Sequence, residues 1–178
     1  AIGPRKELQF RTLFNLLGPL TNPAGAENQV LGVFDPAWVR PMAEVLRALG
    51  SQRVLVVHSK DGLDEISIAA PTTVAELVNG EIFEYDICPE DFGMKAQSWA
   101  ALTVKDSHES LALVQAALSG DNELASQFVL LNAGAAIYVG GGSETLGAGI
   151  ALAEDVIASG AATEKLKFLV EFTQQLGA

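Results

Sequence analysis

Within eight positions the sequence sets His58, Ser59, Lys60, Asp61, Asp64 and Glu65 around Gly62, a residue free to take backbone conformations that a side chain resists. Magnesium takes one or two carboxylates and completes its shell with waters and substrate phosphates, so the adjacent Asp64 and Glu65 suit a cation shared with a phosphorylated ligand. A merely solvated loop is the competing reading, and position must decide between them. His58 reads first as a strand-end histidine with its hydrogen bond satisfied, ahead of general base or ligand. Arg5 and Arg11 lie in a stretch punctuated by Pro and Gly. They could grip a carboxylate through a bidentate fork, although each alone is more often a surface ion-pairing residue. Gly140 to Ser143 before a helix resembles a phosphate nest, but it lacks the lysine and spacing of a P-loop and a preceding strand, and reads as a helix–helix connection. Two histidines and one cysteine support no Ser-His-Asp or Cys-His arrangement, so no catalytic nucleophile is assigned.

The elements that must position these groups follow from periodicity. Val54 to Val57 is a short apolar, mostly β-branched run and reads as a strand buried on both faces. The acidic loop leaves its carboxyl end, where open α/β sheets place ligands. Upstream, Thr12 to Leu17 has the length for one and a half turns of helix, closed by Gly18-Pro19 and followed by an Asn22-Pro23 turn, and the segment reads as a structured loop more than an element. Gln29 to Phe34 is a second strand, and Asp35-Pro36 opens a helix with Trp38, Met42, Val45, Leu46 and Leu49 on one face, ended by Gly50. Strand, helix and strand form a β-α-β unit, which predicts parallel pairing and a right-handed crossover.

Downstream, Val74 to Val78 and Glu81 to Asp86 flank Asn79-Gly80, a strong hairpin signal, and Glu81, Glu84 and Asp86 keep the edge polar. Residues 89 to 101 show no period and read as loop. Asp106 and Glu109 form a capping box that opens a helix with Leu111, Val114 and Leu118 inward. Asp121 to Val139 is a long apolar helix interrupted by Gly134 and buried on more than one side. Another helix runs through Ala158, and Thr163 to Leu176 closes the chain with Leu166, Leu169, Val170 and Leu176 on one face. The expected fold class is α/β: a mixed, mainly parallel sheet flanked by helices, in one domain.

The 178 residues are 49% hydrophobic and 19% charged, a globular composition. A formal charge of -11, without a basic patch, argues against nucleic acid and anionic membranes as partners. No apolar run approaches the length of a membrane span. Cys88 is the single cysteine, so no internal disulfide forms, and a reducing, cytoplasmic setting is expected.

Two segments carry a specific resemblance. Arg11-Thr12-Leu13-Phe14-Asn15-Leu16-Leu17-Gly18-Pro19-Leu20-Thr21-Asn22-Pro23-Ala24 and Val57-His58-Ser59-Lys60-Asp61-Gly62-Leu63-Asp64-Glu65 look like the signatures of the anthranilate phosphoribosyltransferases of tryptophan biosynthesis. The chain resembles the C-terminal half or so of those enzymes, from Ala1 to Ala178. The resemblance implies a nucleoside phosphorylase/phosphoribosyltransferase-like C-terminal α/β domain, incomplete. It implies that the helical N-terminal domain, the glycine-rich phosphate loop and the dimer-forming helices lie upstream. It implies transfer of the phosphoribosyl group from 5-phosphoribosyl 1-diphosphate to the amine of anthranilate, with Mg2+ as cofactor held by Asp64 and Glu65, and Arg5 on the anthranilate carboxylate. The complete enzyme is expected to be a homodimer and this chain alone to be inactive or nearly so. A nucleic-acid-binding or nucleoside phosphorylase relative on the same fold is the alternative, against which the charge and the first segment argue.

Overall fold

The computed structural model describes residues 14–176. Its first helix, α1 (Phe14–Leu20), continues where the sequence predicts closure at Gly18-Pro19. Pro19 falls in the last turn, where its missing N–H forgoes one bond, to the carbonyl of Asn15, and the helix ends one residue later. The hydroxyl of Thr21 donates to the carbonyls of Leu17 and Gly18 at 3.0 and 3.2 Å and satisfies that end. Thr12 lies outside the described residues. The Asn22-Pro23 turn forms as expected, with Ala24 N donating to Asn22 Oδ1.

Strand β1 (Asn28–Gly32) leads into a 3-10 turn at Pro36–Trp38, N-capped by Asp35, and then into α2 (Val39–Ala48). The chain returns in β2 (Arg53–Ser59), parallel to β1 as predicted. A hairpin of β3 (Thr72–Val78) and β4 (Glu81–Ile87) follows, turning at Asn79 and Gly80, whose φ values of 53° and 80° suit a type I′ turn. The sheet order is β1-β2-β3-β4. It is mixed, as expected, but the balance differs: among the described residues one pairing is parallel and two are antiparallel. The reason is local, since the hairpin adds to β2 in chain order, without a second crossover.

Helices fill the remainder: α3 (Ser107–Ser119), α4 (Glu123–Val139), α5 (Leu146–Ala158) and α6 (Ala161–Leu176). Residues 89 to 101, read as loop, contain 3-10 turns at Pro89–Phe92 and at Trp99–Leu102. Alternation along β2 splits the core. Val54 and Val56 pack with Val39, Met42, Ala43 and Leu46 of α2, while Leu55 and Val57 face Leu131, Ala135 and Val139 of α4. On the far side of α4, Gly134 meets α5 so closely that an added Cβ would lie 2.4 Å from Ile150 Cγ1 and 2.7 Å from Ile150 Cα. The glycine that looked like an interruption is the point where the two helices cross.

Three predicted helix faces are corrected. In α2 the buried stripe is Val39, Met42, Ala43 and Leu46, and Trp38, Val45 and Leu49 are exposed. In α3, Leu111 and Val114 are exposed and Ala117 is buried, because the contact with α4 is close: Ser126 Oγ donates to Ala117 O at 2.8 Å. Asp106 caps α3 as predicted, but the Glu109 carboxylate accepts from Lys105 N rather than closing the box on Asp106. In α6 no residue is buried, and Leu169, Val170 and Leu176 of the predicted face stand in solvent with Phe168 and Phe172.

Candidate functional site at the carboxyl end of β2

β2 delivers two buried polar residues at its end. His58 Nδ1 lies 2.7 Å from the carbonyl of Val33, and since a carbonyl only accepts, Nδ1 carries the hydrogen. This is the satisfied strand-end histidine predicted from the sequence. Ser59 starts a tight turn: its N–H donates to Leu63 O, and Gly62, at φ 92°, donates back to Ser59 O. Only a residue without Cβ takes that conformation readily.

Asp61 is turned inward and holds the turn shut. It accepts from Ser59 Oγ at 2.5 Å, from Ser67 Oγ at 2.7 Å and from Trp99 Nε1 at 2.8 Å. Desolvation pushes its carboxyl upward, but these hydrogen bonds together outweigh it and leave the group below the ordinary aspartate value. Lys60 is directed elsewhere, pairing with Asp86 on β4, which also accepts from Thr73 Oγ1.

The two carboxylates left over are Asp64 and Glu65. Both are exposed, and neither makes an ion pair or accepts a side-chain hydrogen bond among the described residues. Partial desolvation and the neighbouring Asp64 push the Glu65 carboxyl above its usual value. Their backbone is confined from both sides. A Cβ on Gly32, at the end of β1, would fall 1.6 Å from Asp64 O, so the acidic loop lies directly on that glycine. Beyond Glu65, Ile66 is buried, and its N–H and C=O are both bonded by the side chain of Asn132 on α4. Gly140 to Ser143 lies in the connection between α4 and α5, as predicted.

Asp64 and Glu65 thus stand together where the sequence places them. Arg5 and Arg11 lie outside the described residues. Gly32, Trp99 and Asn132 are the contributors that sequence reasoning missed. The available signal was an asparagine in the middle of an apolar helix.

Residues 1–163 match the glycosyl transferase family, a/b domain. The chain belongs to this family. Within the glycosyl transferase family, a/b domain, it is similar to proteins called anthranilate phosphoribosyltransferase. That of Marinomonas sp. (strain MWYL1) is 61% identical over 98% of this chain and 51% of its own length, and that of Saccharophagus degradans is 58% identical over 97% and 52%. The crystal structure of the Thermus thermophilus protein superposes with a TM-score of 0.87 at 44% identity, over 96% of this chain and 50% of that one. The Saccharomyces cerevisiae protein in complex with PRPP and Mg gives 0.79 at 28% identity, over 92% and 47%. The chain therefore spans about half the length of the curated relatives it matches.

The donor set bears on a cation through its chemistry alone. No group of three or more His, Cys, Asp or Glu converges on a metal position among the described residues. Asp64 and Glu65 are two adjacent, hard, anionic oxygen donors without an ion pair among the described residues, and a cation held by two such donors would leave most coordination positions to water and phosphate. That fits a hard divalent cation such as magnesium, or manganese in its place, and not a metal that prefers sulfur or imidazole ligands.

Proposed function

We propose that this chain contributes the cation-holding loop of an anthranilate phosphoribosyltransferase. The reaction moves the phosphoribosyl group of 5-phosphoribosyl 1-diphosphate onto the amine of anthranilate, in tryptophan biosynthesis. The observation that carries this reading is the Asp64–Glu65 pair, held by its backbone yet without an ion pair at either carboxylate among the described residues, in a chain 61% identical to a relative of that name. In the reaction the anthranilate nitrogen bonds to C1 of the ribose as the C1–O bond to pyrophosphate breaks, and the amine loses a proton. No protein nucleophile enters this scheme.

Asp64 and Glu65 would hold Mg2+, which when bound neutralises charge on the diphosphate. Asp61 acts through the backbone, keeping the turn closed so that the two carboxylates are not swung apart. Arg5 is proposed to grip the anthranilate carboxylate through its fork. The remaining half of the relatives' length would supply the helical N-terminal domain, the phosphate loops and the dimer interface. A cytoplasmic location belongs to the same reading.

The test is loss of anthranilate fluorescence with 5-phosphoribosyl 1-diphosphate and Mg2+. It would be run on this chain alone and after adding the complementary half of the Marinomonas protein. Turnover only in the mixture is expected, abolished by Asp64→Ala/Glu65→Ala. Turnover by the 178-residue chain alone would overturn the need for the second half. Association of the halves without turnover would overturn the proposed activity, and undiminished turnover in the double variant would overturn the role of the acidic pair.

A further inference from the structure

From Phe128 to Ile137, α4 is apolar except for Asn132. Asparagine is among the poorer helix formers, and its amide needs partners when placed against a core. Here three of its four hydrogen-bonding positions are used. Oδ1 accepts from Ile66 N at 2.9 Å, and Nδ2 donates to Ile66 O and to Phe128 O, each at 3.0 Å. The orientation of the amide is settled by its partners, since the Ile66 N–H can face only the oxygen. Asn132 thereby takes both backbone groups of Ile66, the pair that a neighbouring strand would otherwise take. Ile66 follows Glu65 directly and is 2% exposed. On the opposite side the Asp64 carbonyl rests on Gly32.

We infer that Asn132 is a positioning residue: it fixes the Glu65–Ile66 peptide so that Asp64 and Glu65 present their carboxylates jointly to a divalent cation. The inference rests on the metal-holding role proposed above for those carboxylates. A helix side chain is a stiffer support for that peptide than solvent, because α4 is itself fixed against β2 and α5. Groups that orient metal ligands without touching the metal change affinity by about 10–100-fold when removed.

The experiment uses Mn2+ as the probe, with free ion measured by electron paramagnetic resonance. It compares the 178-residue chain with Asn132→Leu, Asn132→Asp and Asp64→Asn/Glu65→Gln. Amide exchange at Ile66 is followed by NMR in the same samples. Expected are slow Ile66 exchange and saturable Mn2+ binding in the parent, and loss of binding in the double variant. In Asn132→Leu, Ile66 exchange should be fast and Mn2+ binding about tenfold weaker. Asn132→Asp, which keeps the acceptor facing Ile66 N–H, should retain more of the exchange protection, and it serves if the leucine variant does not fold. Parental Mn2+ affinity in folded Asn132 variants, with binding lost in the double variant, would overturn the inference and leave the proposed site standing. Unchanged binding in the double variant would overturn the site and the inference with it. A purely structural Asn132 would lower the melting temperature and leave Mn2+ affinity, measured well below it, unmoved.

Discussion

Three carboxylates in five positions have opposite fates, and the difference lies in what donates to each. Asp61 receives three side-chain hydrogen bonds and titrates low. A carboxylate with a lowered native pKa adds stability above its unfolded pKa, and that share is lost as the pH falls through the native one. Asp61→Asn should therefore destabilise the chain by about 1–3 kcal/mol near neutral pH, and the deficit should shrink toward acid, which urea titrations across pH would read. Glu65 is the reverse case, raised by partial desolvation and by Asp64. Its contribution is favourable below the unfolded pKa and is lost as the pH rises through the native one. Glu65→Gln should accordingly raise the melting temperature at about pH 7 and leave it unchanged at about pH 3. A lower melting temperature at neutral pH would contradict this. The acidic pair was legible because residue type and strand position carry the signal. Gly32 and Asn132 were not, since each acts on the loop from a distant part of the sequence, through contacts that only the fold creates.

Among the elements, those with strong local chemistry were readable: the β-α-β unit, the Asn79-Gly80 hairpin with its polar edge, and the caps at Asp35 and Asp106. The inward faces of α2, α3 and α6 were not, because leucine and valine recur on several faces and small residues decide the close contacts. Ala117, Gly134 and Gly149 lie at such contacts. Gly134→Ala is the sharpest test of this packing. Its new Cβ meets the Ile150 backbone, which cannot rotate away, so a loss of about 1–3 kcal/mol or more is expected by chemical denaturation. Gly32→Ala is predicted to act elsewhere, displacing the Asp64 carbonyl and weakening cation binding. Parental cation affinity in that variant would show the loop to be less confined than its contact implies.

On the scale of the whole molecule, the two long sides of the sheet differ in what lies outside them. Beyond α4 and α5, helices α3 and α6 enclose a groove of about 760 Å3, lined in part by Leu111, Leu166 and Val170, and α6 exposes Phe168, Leu169 and Phe172. Exposed apolar area of this kind should bind the dye ANS under native conditions. Phe168→Ser/Phe172→Ser should reduce the fluorescence gain while leaving the melting temperature nearly unchanged, because neither ring is buried. A large fall in melting temperature would mean that these rings are packed in solution.

Because alternate residues of β2 are shared between two half-cores, neither half can melt without exposing side chains of the same strand. Unfolding of the sheet and of α4 should then be one cooperative event, with α6 free to fray ahead of it. The acidic loop is fastened to β2 at one end and to α4 at the other. Opening the loop widely should therefore require loosening β2 or α4, and the Ile66 amide at its inner end should be among the slowly exchanging ones.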